Sequence, residues 1–342
     1  MAMIRNLRPI LMGCLSISVL MGCADETPEQ RSVLTVKAYV SVELDLLHRA
    51  ALDLQAAAPD PDVDGWNAED DAAAVEAMRR AWREARTHYE RIEGAIAVLF
   101  PGLDASTDER YDGFLEEGPD SDLFDAEGVI GVHAIERILW ADSVPDHVLA
   151  FESGLSGYTP AAFPATAAEA TRFRDALCQR LVDDTDTMRT TFEPLALDPA
   201  SAFRGVIGSM AEQVEKTSLA ATGEDESRYA AHTLGDMRAN LEGGLAIYEA
   251  FGPGVIVEGG GATNDGVHAG FDRVRAIYEG YTGSALPPVP EGWNPDAPSD
   301  EHLATEYGML FAALSREADP DVADSLVSHM RAAAELLGIR TF

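Results

Sequence analysis

The amino-acid sequence predicts an all-α protein built from two tandem helical bundles. Apolar residues recur at intervals of three and four over most of the chain, which is the spacing of one face of an α-helix. Alternating patterns typical of β-strands are rare, and segments rich in Gly and Pro separate the helical stretches. The first apolar stripe consists of Val40, Leu44, Leu47, Ala51 and Leu54.

The other helices are predicted in chain order from the same periodicity and from the residues that interrupt it. A long stretch rich in Ala, Glu, Arg and Leu is expected to end before Pro101-Gly102. A later helix is expected to begin after Thr166, an N-cap residue, and to end near Pro194. The predicted ranges are 69–100, 129–140, 167–192, 202–220, 227–251, 267–281, 301–316 and 322–337.

Two short stretches recur in the same order, which predicts an internal duplication. Residues 93–102 resemble residues 242–254, and Gly131-Val132-His133-Ala134 resembles Gly266-Val267-His268-Ala269. Chance similarity in a chain rich in Ala and Gly is the alternative. A boundary at residue 199 would give one bundle over 33–199 and a second over 200–342.

The N-terminus has the pattern of a bacterial lipoprotein signal peptide. Arg5 and Arg8 precede an apolar stretch that is short for a membrane-spanning helix, and Leu20-Met21-Gly22-Cys23 matches a lipobox. We expect residues 1–22 to be removed, Cys23 to carry the lipid, and residues 23–32 to form a tether. This places the protein in the cell envelope, facing the periplasm or at the surface. An uncleaved signal anchor with an incidental Cys is the alternative.

The charge balance excludes one class of partner. The chain carries 59 Asp and Glu against 25 Lys and Arg, a formal charge of −34, and only Lys37 and Lys216 are lysines. Such a surface repels nucleic acid and anionic lipid, but it attracts cations. Once Cys23 is lipidated, Cys178 has no partner for a disulfide in the processed chain, so packing must supply the stability.

Two pairs of polar residues have the spacing of metal ligands on helices. His133 and Glu136 are three residues apart, and so are Glu90 and Glu93. Residues i and i+3 share a helix face, and metal sites in helical bundles are assembled from such pairs on facing helices. A surface pair is the alternative for each set taken alone.

Three further residues are candidates from other parts of the chain. Asp112 lies in an acidic stretch over 104–125 that is predicted as a loop, and His232 and Asp236 lie near the start of a predicted helix. Carboxylates with one or two imidazoles suit iron, manganese or zinc better than copper(I) or a thiolate cluster. The second copy of the repeat has Phe271 where the first has Glu136, so we expect that His268 is not a ligand.

Gly131-Val132-His133-Ala134-Ile135-Glu136 resembles the Gly-x-His-x-x-Glu signature of the imelysin-like proteins, which include periplasmic iron-uptake lipoproteins of the EfeO and EfeM type. Residues 85–93 resemble the first conserved helix of that family, and residues 228–243 resemble a later conserved segment. The resemblance implies two four-helix bundles with a metal-binding cleft between them. It also implies the ligand set Glu90, Glu93, Asp112, His133, Glu136, His232 and Asp236.

The resemblance leaves some of these positions open. Asp104 and Asp108 are alternatives to Asp112 for the family's acid, Leu234 replaces an acid of the later segment, and Gln213 stands where the family has a Glu, with Glu212 beside it.

The expected function is metal binding, with iron as the expected ion and zinc or manganese as alternatives. The protein would handle or take up iron outside the cytoplasm and pass it to an iron permease. A metallopeptidase is the rival function, although Arg137 follows Glu136 where a zinc peptidase motif of the inverted kind would have a second His. A surface lipoprotein with a degenerate site is the third alternative.

We predict that replacing Cys23 with Ser prevents lipidation, because the serine hydroxyl cannot accept the thioether-linked lipid. The variant should accumulate as unprocessed or soluble protein, whereas the wild type should partition into the membrane fraction. Metabolic labelling with a fatty-acid analogue and membrane fractionation measure both properties. A Cys178→Ser variant is the control, and it should be labelled like the wild type. Labelling of the Cys23→Ser protein would refute the assignment.

Overall fold

The computed structural model describes residues 27–67 and 70–340, and over those residues the secondary structure is helical, which confirms the predicted all-α class. The elements are α1 (Pro28–Ala56), α2 (Ala72–Glu90), α3 (Glu93–Leu99), α4 (Pro101–Asp108), α5 (Tyr111–Glu117), α6 (Gly131–Leu139), α7 (Asp146–Glu152), α8 (Ala167–Arg172), a π-helical segment (Phe173–Cys178), α9 (Gln179–Phe192), α10 (Pro199–Leu219), α11 (Thr233–Val257), α12 (Gly261–Glu279), α13 (Asp300–Leu303), α14 (Glu306–Ala318) and α15 (Leu326–Leu336).

Helix α1 begins at a capping box. The Thr27 hydroxyl accepts a hydrogen bond from the Gln30 backbone N–H at 3.2 Å, and the Gln30 side chain accepts one from the Thr27 N–H at 2.9 Å. Pro28 occupies the first helical position, where its missing N–H costs nothing. The apolar stripe predicted from the sequence is confirmed, because its members are buried: Val40, Leu44, Leu47, Ala51 and Leu54.

The prediction of one helix over 69–100 is wrong. Helix α2 ends at Glu90 and α3 begins at Glu93, with a turn at Arg91 and Ile92. The Arg91 carbonyl faces Gly243 of α11 so closely that a Cβ at Gly243 would overlap it. Periodicity did not predict the break, because Ile92 continues the apolar face and is buried. The two glutamates therefore lie on either side of a turn, at the end of one helix and the start of the next.

Other segments also differ from the prediction, and the predicted helix over 301–316 forms as the two helices α13 and α14. The acidic stretch predicted as a loop contains α4 and α5, and the range predicted as a helix from residue 227 is a turn until α11 begins at Thr233. Ala231 in that turn has φ 49°, in the left-handed region that interrupts a helix. The predicted helix over 167–192 forms as α8, the π-helical segment and α9.

The buried apolar side chains form two clusters. One is built on α10, α11, α12, α14 and α15 together with the first part of α1, and the other surrounds α6 and the π-helical segment. Helix α1 contributes to both, since Val36 to Leu47 lie in the first cluster and Ala51 and Leu54 in the second. The division of the chain at residue 199 and the internal duplication stay predictions.

The second histidine of the repeat lies on α12. The His268 ring meets the ring of Tyr248 edge-on, with centroids 5.8 Å apart. Among the described residues, the groups of side chains close enough to share a metal ion do not include His268.

The N-terminal predictions concern residues that lie largely outside the described part. The signal peptide over 1–22, Cys23 and residues 24–26 are not among the described residues. Residues 28–32, predicted as the end of the tether, form the start of α1. Within 27–67 and 70–340, no helix has the length and apolar character needed to cross a bilayer.

Helices α3 and α10 cross at two glycines. A Cβ at Gly205 of α10 would overlap the Gly94 carbonyl oxygen of α3, and a Cβ at Gly94 would lie 2.8 Å from the Gly205 carbonyl oxygen. Without side chains at either position the two backbones pack directly against each other. The crossing sets the relative position of two residues on these helices, Glu93, which directly precedes Gly94, and Lys216, which lies further along α10.

We predict that Gly205→Ala lowers the free energy of unfolding by about 1–3 kcal/mol, the usual cost of overpacking a close contact. Gly208 is the matched control, because it lies on the same helix, is exposed, and has no atom within 4 Å of a Cβ added there. Gly208→Ala should raise the free energy by about 0.5–1 kcal/mol, since alanine stabilises a helix relative to glycine. Urea denaturation followed by circular dichroism measures both. Equal effects of the two substitutions would contradict the close crossing.

Candidate metal centre

Buried ionisable side chains collect where α2, α3, α4, α6 and α10 meet the turn over 224–232. The cluster is unusual because its carboxylates are inside the protein, whereas most acids of this chain are exposed. Glu90, Glu93, Glu226 and His133 are each less than 9% exposed. The remaining acids at its edge are Asp108 and Glu212, which are half-buried.

Two overlapping groups within this cluster have the geometry of metal ligands. One consists of Asp108, His133 and Glu226, and the other of Glu90, Glu93, Asp108 and Glu226. In each group one ligand atom per residue lies within 4.8 Å of all the others. The groups share Asp108 and Glu226, so together they form one continuous set of candidate ligands.

His133 is oriented by Glu136 from one side and faces the cluster from the other. Its Nδ1 lies 2.8 Å from Glu136 Oε2, and the second oxygen of Glu136 accepts backbone N–H groups from Tyr229 at 3.0 Å and Ala230 at 2.8 Å. A carboxylate accepts, so Nδ1 carries the proton of that hydrogen bond and neutral His133 has its lone pair on Nε2.

That Nε2 atom is directed at two carboxylates. It lies 3.3 Å from Asp108 Oδ1 and 3.4 Å from Glu226 Oε1, yet it is buried without a well-formed hydrogen bond. A carboxylate behind a histidine whose other nitrogen faces a group of acids is the usual arrangement of a metal-binding imidazole. The donor set therefore fits a metal ion.

Two backbone contacts position His133. Gly131, at the start of α6, has φ 81°, and a Cβ there would overlap the carbonyl oxygen of Thr107 in α4. Only glycine allows this approach, which brings Asp108 beside His133. On the other side, the Trp82 indole N–H donates to the Val132 carbonyl at 2.8 Å and holds α6 against α2.

Arg86 supplies one fixed positive charge to the cluster. Its guanidinium is fully buried, forms short ion pairs with Glu90 and Asp108, and lies 3.4 Å from Glu226 and 3.6 Å from Asp236. Because the guanidinium is planar, always charged and has several N–H donors, it can contact several carboxylates at once.

Lys216 of α10 supplies the second fixed charge and is 2% exposed. Its Nζ lies 2.8 and 2.9 Å from the two carboxylate oxygens of Glu90, 3.0 Å from Glu93 and 3.3 Å from Glu212. The carboxylate of Glu226 is 4.0 Å away. One of the two lysines of an acidic chain is thus placed among buried acids.

The pKa values of the cluster show how crowded its negative charge is. Burial and the neighbouring Glu93 raise the pKa of Glu90 to about 8, although Lys216 and Arg86 act in the opposite direction. Burial and Glu212 raise the pKa of Glu93 well above its usual range. Glu226 is the exception: although burial opposes ionisation, the nearby cations hold its pKa well below its usual value. Arg86 and Lys216 therefore do not balance all the negative charge of the ionised carboxylates, and a further cation would reduce their repulsion.

A cavity of about 300 Å³ adjoins the cluster. Its wall includes Glu93, Asp108, Glu226 and Lys216, and it reaches the exposed Glu215. The cavity is large enough for a hydrated ion, and its acidic rim attracts positive charge.

The structure places His133 in one ligand group and Glu90 and Glu93 in the other, and the two groups share Asp108 and Glu226. It places Glu136 differently, behind His133 and bonded to backbone amides, so that it orients the imidazole instead of facing the cluster. Asp112 lies apart, in an ion pair of 2.7 Å with Arg228. Its alternative Asp108 occupies the cluster, because α4 ends there against α6.

The two residues predicted from the start of α11 do not join either ligand group. His232 precedes the helix and packs against Trp82, with ring centroids 6.1 Å apart. Asp236 lies next to Arg86 and accepts a short hydrogen bond from the hydroxyl of Ser227. Gln213 contacts the cluster through Asn240: the Gln213 side chain donates to Asn240 at 2.8 Å, and Asn240 donates to Glu93.

Sequence reasoning missed Glu226 and Lys216. Glu226 lies in a turn that periodicity treated as the approach to a helix, so no face could be assigned to it. Lys216 did carry a signal, since a lysine on a helix of an otherwise lysine-poor chain needs an acidic partner to be buried.

The fold and the cluster define a class: an all-helical protein with a buried carboxylate–histidine centre. The Imelysin (Peptidase M75) family model matches residues 43–337. The chain belongs to the imelysin family.

Two groups of known proteins are similar to it. The iron uptake system component EfeO of Escherichia coli K12 and that of Shigella flexneri are each 26% identical over 182 residues, which is 53% of this chain and 39% of the relative. The chain thus matches about two fifths of the length of these curated relatives. An imelysin-like protein from Psychrobacter arcticum, solved by crystallography, has a TM-score of 0.50 with 14% identity, over 93% of this chain and 98% of that one. This structural similarity concerns the fold.

Proposed function

We propose that the protein binds a metal ion through Asp108, His133 and Glu226, and that it takes part in iron uptake outside the cytoplasm. The observation that carries the proposal is the buried Nε2 of His133, held by Glu136 and directed at two carboxylates without a hydrogen bond. The relatives named as iron uptake components support iron as the ion that the protein handles.

The ligand chemistry agrees with this assignment. Two carboxylate oxygens and one imidazole nitrogen suit iron(II), manganese(II) and zinc(II), and the group contains no thiolate or thioether. A bound cation would stabilise the folded protein, because it removes repulsion among the buried carboxylates.

The proposal includes an envelope location. A lipid on Cys23, after removal of residues 1–22, would anchor the protein, and an iron permease would be the partner that receives the ion. The acidic cavity beside the cluster is the route by which an ion would enter and leave. We propose ion binding in preference to hydrolysis of peptides, because Glu136 is occupied by His133 and two backbone amides and is not free to act as a general base.

We predict that manganese(II) or zinc(II) raises the melting temperature of chelator-treated protein by several degrees. A ligand at 100 times its dissociation constant stabilises the native state by about 2.7 kcal/mol. Glu226→Gln should remove most of this increase, since Glu226 belongs to both ligand groups. Glu301→Gln, on the exposed start of α13, is the control and should keep it. The same increase in the Glu226→Gln protein and in the wild type would refute the site.

We predict that metal binding releases protons and weakens as the pH falls. Burial lowers the pKa of His133, but the neighbouring carboxylates of Asp108, Glu136 and Glu226 outweigh burial and raise it well above its ordinary value. The raised pKa favours the protonated imidazole in the absence of metal, and a metal ion bound at Nε2 must displace that proton. Affinity should increase from pH 5.5 to 7.5. Calorimetry in buffers of different ionisation enthalpy measures the protons released. Binding that releases none would contradict His133 as a ligand.

A further inference from the structure

Lys216 lies among the carboxylates of the second ligand group. The all-carboxylate ligand group consists of Glu90, Glu93, Asp108 and Glu226. The Lys216 ammonium makes contacts of 2.8–3.0 Å with the first two of these residues, and it lies 4.0 Å from Glu226. An ammonium and a divalent ion bind the same carboxylate oxygens. The N–H···O contacts of the ammonium are longer than bonds between a metal ion and oxygen.

The protein holds this ammonium firmly in place. Lys216 is 2% exposed, so its charge depends on the surrounding carboxylates for stabilisation. The crossing of α3 and α10 at Gly94 and Gly205 fixes the two helices that carry Glu93 and Lys216. Asn240 donates to Glu93 Oε2 at 3.0 Å and restrains the carboxylate that faces the lysine.

We infer that Lys216 is an internal cation that fills a second ion position and limits the centre to one metal ion, bound by Asp108, His133 and Glu226. This inference rests on the proposed function, because it assumes that the histidine-containing group binds a metal. The two ligand groups share Asp108 and Glu226. Without the lysine charge, these shared carboxylates would be available to hold two neighbouring ions, as in two-metal sites of helical proteins.

The test compares the wild-type protein with Lys216→Met, which removes the charge at similar length, and Lys216→Arg, which keeps it. Each protein is freed of metal with a chelator and saturated with manganese(II), and bound manganese per chain is measured by equilibrium dialysis and elemental analysis. Electron paramagnetic resonance then distinguishes isolated ions from coupled pairs, because ions bridged by carboxylates are magnetically coupled.

We expect one uncoupled ion per chain in the wild type and in Lys216→Arg, and two coupled ions in Lys216→Met. Two coupled ions in the wild type, or a single ion in a folded Lys216→Met protein, would overturn the inference and leave the proposed function intact. If the wild type binds no metal, the proposed function fails first, which makes the two failures distinguishable.

Loss of the lysine leaves carboxylates without their cation, so Lys216→Met is expected to fold more stably with manganese than without it. Lys216→Gln is a second neutral variant that retains hydrogen-bond donors toward Glu90 and Glu93. It should also bind two ions. Failure of both neutral variants to fold in manganese would show that an ion cannot replace the ammonium, and would refute the inference.

Discussion

The crowding of carboxylates inside the protein is the constraint on which the rest of the centre depends. Glu90, Glu93 and Glu226 are buried side by side. Each negative charge that is removed from water must be compensated by a positive charge nearby. Arg86 and Lys216 supply part of that compensation. Glu226 stays ionised and Glu90 is driven toward protonation, so the available positive charge is distributed unevenly. The compensation is therefore close to complete at Glu226 and incomplete at Glu90.

Breaks between helices position the charged residues as much as the regular helices do. A continuous helix over residues 69–100 would keep Glu90 and Glu93 on one straight face. The turn at Arg91 instead lets α3 approach α10 at Gly94, which brings Glu93 to Lys216. Gly131 does the same for α4 and α6, since its positive φ and missing side chain allow Asp108 to lie beside His133. The glycines at these crossings allow the helices to approach closely, which sets the distances between the charged groups. The surrounding apolar clusters keep the helices in that position.

The sequence predicted the helical class and some of the residues that lie in the cluster, and the reasons that it missed the others are physical. Periodicity reports which residues share a face, so it found Glu90, Glu93 and His133 on buried helices. It carries no information about turns, and Glu226 lies in one. Asp108 and Asp112 are both aspartates of the same acidic stretch, and only the position of α4 against α6 decides between them. Spacing alone could not reveal that Asp112 pairs with Arg228, because these residues are 116 positions apart.

The pair His133 and Glu136 shows why a ligand spacing does not always mean two ligands. Residues i and i+3 on a helix are close enough to contact each other, and here the contact is a hydrogen bond of 2.8 Å. A carboxylate that accepts the Nδ1 proton leaves the Nε2 lone pair free, and so fixes which nitrogen can bind an ion. The two amides of Tyr229 and Ala230 hold the carboxylate in that role. The equivalent position after His268 is Phe271, which cannot accept such a proton, so the second histidine has no partner at i+3 to orient it in the same way.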